Sequence, residues 1–228
     1  MTGQLPVWDT INAAWAKVAG SKGTFWAAII IMFLIMFGIG ILEGVTEKIF
    51  FISSLLGIIG SILGYFLQLG LVYIGITRAK DMPINYKLVF TPFDVQLALN
   101  LVGLYVLQTV IFLIPAIVAA AGIFLYMTGS AIAMFIGGLL VIASIVALLV
   151  IAVRLSISMA YVLDASAGPR AAIKSSLAAT EGNFWNLVGI YILQMLILLV
   201  SILPAGIGLI WSIPFVLICY GMVYKQLR

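Results

Sequence analysis

The sequence predicts an all-helical polytopic membrane protein with six transmembrane helices, arranged as three tandem hairpins with amphipathic helices at the cytoplasmic interface. The 228 residues are 65% hydrophobic and only 8% charged, so they contain too little polar surface to coat a soluble globule of this size. Six apolar runs are long enough to cross a bilayer. Two of these runs contain nearly the same nine residues, at positions 100–108 and 186–194, which indicates an internal repeat.

The six spans are predicted from length and composition. A hydrocarbon core roughly 30 Å thick needs about 20 helical residues, because each residue rises about 1.5 Å. The runs that meet this requirement are residues 25–42, 49–76, 97–123, 131–153, 184–203 and 205–224. Pro115 and Pro214 lie inside two of them, and each is expected to kink its helix because proline removes a backbone donor.

The distribution of basic residues predicts the orientation. If the N-terminus is cytoplasmic, ten of the 11 lysines and arginines fall in inner segments, and only Lys48 falls outside. Because cytoplasmic loops are enriched in Lys and Arg, both termini are predicted to be cytoplasmic.

Three segments on the inner side are predicted to lie in the membrane interface. Residues 7–19 have apolar side chains at helical spacing and place Trp8 and Trp15 at headgroup depth. Residues 169–180 form a similar short helix that begins with proline, and residues 86–95 occupy the same place less regularly.

These segments divide one membrane domain, residues 1–228, into three modules. Residues 1–76 hold an interfacial helix and hairpin 1, residues 77–163 hold hairpin 2, and residues 164–228 hold an interfacial helix and hairpin 3. Every module enters and leaves on the cytoplasmic side, so the repeats are parallel, unlike the inverted repeats of many transporters.

The residue types present argue against most enzyme classes. The chain has no histidine and a single cysteine, Cys219, so it lacks the commonest general base and the commonest metal ligands. No activating base for a serine nucleophile is evident either. The chain is therefore not expected to be an enzyme, to bind a metal or to need a cofactor. It has no dense basic block, so a nucleic-acid partner is not expected.

Polar side chains inside the spans are the first group of candidate site residues. They are Asn100, Tyr105, Gln108, Asn186, Tyr191, Gln194 and Gln68. The two nine-residue segments place matching polar residues at matching positions, close to one helical face. Two interpretations stay open. The side chains could form interhelical hydrogen bonds, typically worth about 0.6 kcal/mol each, or they could line a polar cavity or a groove for lipid headgroups.

A second group of candidates consists of small residues in the second span, Gly57, Gly60 and Gly64, the last two forming a GxxxG motif. Small residues let helix backbones approach closely. The stripe is compatible with packing inside one chain and also with a homo-oligomer interface.

A third group is basic: Arg78, Lys80, Arg154, Arg170 and Lys174. These residues could hold anionic lipid headgroups, or they could reflect only the ordinary excess of cytoplasmic charge. Arg154 is expected at the inner interface. A deeper position would require a partner such as Asp164 or a lipid phosphate.

Residues 154–185 carry a recognisable pattern. An Arg-bearing helix ends in an acidic residue and is followed by a small helix and a Gly-Asn-x-Trp sequence, the positions being Arg154, Asp164, Ala172, Ser176, Thr180, Gly182, Asn183 and Trp185. The segment resembles YciC-like bacterial inner-membrane proteins and the membrane domain that precedes the catalytic domain of some glycerophosphodiester phosphodiesterases. The resemblance implies a six-span, multi-pass domain of the bacterial inner membrane, without the phosphodiesterase activity.

Together these observations predict a non-enzymatic inner-membrane protein that organises or binds membrane lipid or a small hydrophobic ligand. Membrane lipids are the expected partners, and a homo-oligomer stays open. The alternative is a passive channel or transporter whose polar path is lined by Asn, Gln and Tyr of spans 3 and 5.

Overall fold

The computed structural model describes residues 5–228, and this part of the chain is helical without a β-strand. In chain order its elements are α1 (Val7–Ala16), α2 (Lys22–Val45), α3 (Phe50–Ala79), a 3₁₀ helix (Tyr86–Phe93), α4 (Val95–Met127), α5 (Ala131–Leu155), α6 (Ser158–Ala165), α7 (Pro169–Ala179), α8 (Phe184–Ile202) and α9 (Leu209–Leu227). The all-helical fold class is confirmed.

Six helical segments are long and apolar enough to cross a membrane. They are α2, α3, α4, the segment Ala131–Ala165 that joins α5 and α6, α8 and α9. Each overlaps one of the six predicted runs, so the six spans are confirmed. In the most apolar stretch of α9, half of the residues are buried. In the other five segments the corresponding share is 17% or less, so α9 is the most enclosed of the six.

The helices form two compact units. Unit 1 consists of the described part of Met1–Ala98 together with Trp185–Arg228, and unit 2 consists of Leu99–Phe184. Unit 1 therefore combines helices of the first and third predicted modules, whereas most of the second module lies in unit 2.

The core of unit 1 is the crossing of α3 and α9. Gly75 lies against the Leu217 carbonyl, and a Cβ on Gly221 would lie 2.7 Å from the Gly75 carbonyl oxygen, so glycine is needed on both helices. The Lys225 ammonium donates to the Ala79 carbonyl at 3.1 Å. Along both helices the contact between Gly75 and Leu217 comes before the contact between Ala79 and Lys225. Helices α3 and α9 therefore run in the same direction.

Three further elements surround this crossing. Helix α2 packs along α3, and the 3₁₀ helix packs on α3 and α2, with Gly70 of α3 against the Val89 carbonyl. Helix α1 packs on α9. The Trp15 and Phe215 rings meet edge to face with 5.0 Å between their centroids, and the Thr10 hydroxyl lies 2.7 Å from the side-chain oxygen of Gln226. The N-terminal helix thus lies beside the end of the C-terminal helix.

Unit 2 is built around α4 and α5. The two helices meet where Gly122 and Gly137 face one another, and a Cβ on Gly122 would lie 2.8 Å from the Gly137 carbonyl oxygen. The chain breaks its helix after Leu155 and continues as α6 and then α7. Helix α7 reaches α4 at its first residue, Pro169, whose ring lies 2.8 Å from the position a Cβ on Gly103 would occupy.

Candidate functional site

The basic candidates of unit 1 are engaged in contacts that close the end of the helix bundle. The Arg78 guanidinium donates to the carbonyls of Lys17 and Ala19, at 3.0 and 3.1 Å. The ammonium groups of Lys17 and Lys225 both contact the Asp81 carboxylate. These two hydrogen bonds, together with the positive charge of the lysines, hold the pKa of the Asp81 carboxyl below its ordinary value of 3.8. Lys80 is half-buried beside this cluster.

Arg154, in unit 2, forms a two-way clamp between α5 and α7. Its guanidinium donates to the Leu177 carbonyl at 3.1 Å, near the negative end of α7, where a cation is favoured. In return the Ser176 hydroxyl donates to the Arg154 carbonyl at 2.7 Å, and the Thr180 hydroxyl lies 3.4 Å from the same carbonyl. Ser176 and Thr180 are both fully buried. Three residues of the pattern in 154–185 are thereby brought together.

Arg170 and Lys174 differ from the other basic candidates because their side chains are exposed on α7. They are four residues apart and share one face of the helix. Arg170 also lines a groove of about 370 Å³. The wall of the groove consists of Gly103 and Leu107 of α4 and residues 168–171 at the start of α7. The groove thus has an apolar side and a side with positive charge.

The polar candidates of α4 lie in unit 2. Asn100 is half-buried, and Tyr105 is 55% exposed beside a second groove of about 380 Å³ along α4. The Gln108 amide donates to the Ser158 hydroxyl at 2.8 Å, and that hydroxyl donates to the Leu155 carbonyl at 2.6 Å. Gln108 therefore connects α4 to the break between α5 and α6.

The remaining polar candidates lie in unit 1. Gln68 is exposed, while Asn186 and Tyr191 are half-buried. Gln194 is only 7% exposed, and its amide nitrogen has no hydrogen-bond partner among residues 5–228. Its side chain lies beside the buried Cys219 thiol. The two matching glutamines of the repeat thus have different surroundings.

The glycine stripe of α3 faces α2 inside unit 1. A Cβ on Gly57 would lie 3.0 Å from a carboxylate oxygen of Glu43, and one on Gly60 would lie 3.1 Å from a methyl of Ile39. Gly64 faces the end of the Met36 side chain in the same way. These glycines are in contact within one chain.

Two residues with important contacts have no signal in the sequence strong enough to select them. Ser158 receives the Gln108 amide, and Asp81 joins three chain segments. One weak signal exists for Ser158, which directly precedes a Met-Ala-Tyr sequence that is similar to Met222-Val-Tyr224 at the end of the chain. Asp81 could have been noticed as the acidic residue in an otherwise basic inner segment.

Comparison of the chain with protein-family models, with curated proteins and with solved structures finds no match. The chain is a multi-pass integral membrane protein on the basis of its six apolar helices.

Proposed function

We propose that the protein is a non-enzymatic lipid-binding protein, and that the groove beside Arg170 in unit 2 holds an anionic phospholipid. The observation that carries this proposal is the composition of the groove. Gly103 and Leu107 provide an apolar wall for an acyl chain, while Arg170 provides a guanidinium group that can bind a phosphate through two hydrogen bonds.

Two further features support an anionic ligand. The first turn of α7 lines the groove, and the positive end of a helix favours a negative charge. Lys174 lies one turn beyond Arg170 and adds a second positive charge on the same face. In contrast, Arg78 and Arg154 already donate to backbone carbonyls, so their guanidinium groups are partly engaged.

The proposal includes the bacterial inner membrane and cytoplasmic N- and C-termini. Ten of 11 basic residues on one side support this orientation, as does the contact of Thr10 with Gln226, which places helix α1 beside the end of α9. Membership of the YciC-like proteins is supported by the clamp that joins Arg154, Ser176 and Thr180. We propose a monomer, because the glycine stripe of α3 is occupied by α2.

The test is lipid binding by the purified full-length protein, measured by native mass spectrometry with phosphatidylglycerol and with zwitterionic phosphatidylethanolamine. The double variant Arg170→Ala/Lys174→Ala should lose about 2 kcal/mol, taking about 1 kcal/mol for each basic residue, and so bind phosphatidylglycerol roughly 30-fold more weakly. Phosphatidylethanolamine binding should change little.

The matched control is Lys48→Ala/Lys87→Ala, which removes the same two charges from exposed positions in unit 1. It should retain phosphatidylglycerol affinity within about twofold, since neither lysine lines the groove. An equal loss of phosphatidylglycerol affinity in both double variants would show that net charge alone explains the effect. This result would contradict the proposed site.

A passive channel or transporter is the second candidate function. It is favoured by Gln194, whose buried amide nitrogen lacks an acceptor in the described part of the chain, as expected for a polar group on a hydrated path. Flux of small solutes into proteoliposomes separates the two functions. Gln108→Leu and Gln194→Leu should abolish flux if these residues line a path, and should change only thermal stability if they serve packing.

A further inference from the structure

Gln194 is a buried polar side chain at the middle of a membrane-spanning helix. It is the eleventh of the 19 residues of α8, and Cys219 is the eleventh of the 19 residues of α9. Both side chains therefore lie about halfway along their spans. Hydrocarbon offers no acceptor to an amide donor at this depth, so an unsatisfied donor there is unfavourable and points to a bound ligand.

The surroundings of Gln194 differ from those of Gln108. Gln108 donates to Ser158, the residue just before Met159-Ala-Tyr161. The residue just before the similar Met222-Val-Tyr224 is Gly221, which has no hydroxyl and packs against Gly75 and Ala79 of α3. The repeat therefore supplies no matching acceptor for Gln194.

The missing acceptor is a neutral oxygen atom. A cation is excluded because the group to be satisfied is itself a donor. An anion without a charged partner is far less favourable in hydrocarbon than a neutral oxygen. The Cys219 thiol lies beside the amide and is a weak donor and a weak acceptor. A water molecule can use both groups, since it accepts from the Gln194 amide and can donate to the Cys219 sulfur.

We propose that Gln194 binds an ordered water molecule at the middle of the α8 span, beside Cys219. This site lies in unit 1 and does not depend on the lipid groove in unit 2. The site places one water molecule at mid-membrane depth, enclosed by Gln194, Cys219 and the neighbouring apolar side chains. A lipid ester carbonyl is the other source of a neutral oxygen, and radiolytic footprinting distinguishes it from water.

The experiment is X-ray radiolytic footprinting of the full-length protein in lipid nanodiscs, with a radical scavenger in the bulk solution. Hydroxyl radicals produced from an enclosed water oxidise adjacent side chains before a bulk scavenger can act, whereas a lipid carbonyl produces none. Cys219, the only cysteine in the sequence, is the reporter, and its oxidation is measured by peptide mass spectrometry.

We expect scavenger-resistant oxidation of Cys219 in the native protein and at least a fivefold decrease in Gln194→Leu, which has no donor and, unlike methionine, does not compete strongly with Cys219 for hydroxyl radicals. Gln108→Leu is the matched control and should leave Cys219 oxidation unchanged. Absence of scavenger-resistant oxidation in the native protein would overturn the proposal, as would equal oxidation in Gln194→Leu. The native measurement decides alone if Gln194→Leu does not fold.

Discussion

Asp81 connects three segments of unit 1 through single side-chain contacts. It follows α3 directly and lies at φ 63°, a left-handed conformation that Asp and Asn tolerate better than most residues. Its carboxylate receives Lys17, which follows α1, and Lys225, which is near the end of α9. The acidic side chain thereby neutralises part of the positive charge that collects where these three helices end.

Replacement of Asp81 by Asn should lower the melting temperature of the purified protein at pH 7. The pKa of this carboxyl is lowered in the folded state, so its ion pairs stabilise the fold above pH 3.8 and are lost as the pH falls through the lowered folded value. The difference between Asp81→Asn and the native protein should therefore shrink as the pH falls below 3.8. Thermal unfolding in detergent at several pH values measures it.

The control for this prediction is Asp9→Asn, which removes an exposed carboxylate that forms neither of the two Asp81 ion pairs. Its effect on the melting temperature should be small at every pH. Added salt should also reduce the effect of Asp81→Asn, because these charges are exposed and are screened. A stability loss that does not shrink as the pH is lowered would argue against an ionic role for Asp81.

Gln108 and Ser158 form the second informative contact at this scale. Each of the variants Gln108→Leu and Ser158→Ala should destabilise the protein by about 0.6 kcal/mol and at most about 1.7 kcal/mol, the range measured for interhelical hydrogen bonds in membranes. The double variant should cost less than the sum, since both changes remove one bond. Gln68→Leu, at an exposed position, should have little effect on the same unfolding curves.

At the scale of whole elements, α9 contains a proline and compensates for it with a side chain of α2. Pro214 has no N–H, so the carbonyl of Ile210, four residues earlier, loses its helical donor. The indole N–H of Trp26 donates to this carbonyl at 3.2 Å. The proline is thus tolerated because a neighbouring helix satisfies the freed backbone group.

This arrangement predicts a coupled effect of two substitutions. Trp26→Phe should destabilise the native protein by about 1 kcal/mol, because the Ile210 carbonyl is left without a donor. In a Pro214→Ala background the new N–H can bond that carbonyl, so the cost of Trp26→Phe should fall towards its packing contribution alone. A double-mutant cycle of unfolding free energies measures this coupling. Equal cost in both backgrounds would show that the indole bond is unimportant.

At the scale of the whole molecule, the six spans and the distribution of charge together predict a topology. In a Cys219→Ala background, single cysteines at Glu47 and Thr128 should react with a membrane-impermeant maleimide in right-side-out vesicles. Cysteines at Lys87 and Arg228 should react only after permeabilisation, because these positions are predicted to be cytoplasmic. Mass shift on gels measures labelling. Reaction of the Arg228→Cys variant in sealed vesicles would reverse the proposed orientation.

Hydrophobicity was sufficient to locate the spans because a membrane helix satisfies its own backbone hydrogen bonds, so each span is a local property of the chain. The predicted run 49–76 matches Phe50–Ala79 to within three residues at each end, and the predicted start at residue 131 is that of α5. The short helix predicted at residues 169–180 corresponds to Pro169–Ala179, since its proline marks a helix start.

Side-chain partners were not predictable in the same way. The repeat places Gln108 and Gln194 at equivalent positions, yet one donates to Ser158 and the other lies beside Cys219. Periodicity identifies the face of a helix that is polar or small, but it does not identify the helix that covers this face. The same limit applies to Arg154, whose partner on α7 is 23 residues away in the chain.

The sequence by itself determined the helical class, the number of spans and the regions where charge collects, because these depend on transfer of each segment from water to hydrocarbon. Only the tertiary structure decided which basic groups are already engaged, as Arg78 and Arg154 are, and which are exposed, as Arg170 and Lys174 are. It also decided that Gly221 must stay without a side chain where it meets α3, and that the Gln194 amide nitrogen lacks an acceptor among residues 5–228. The reason is that these properties depend on contacts between residues far apart in the chain, which packing alone brings together.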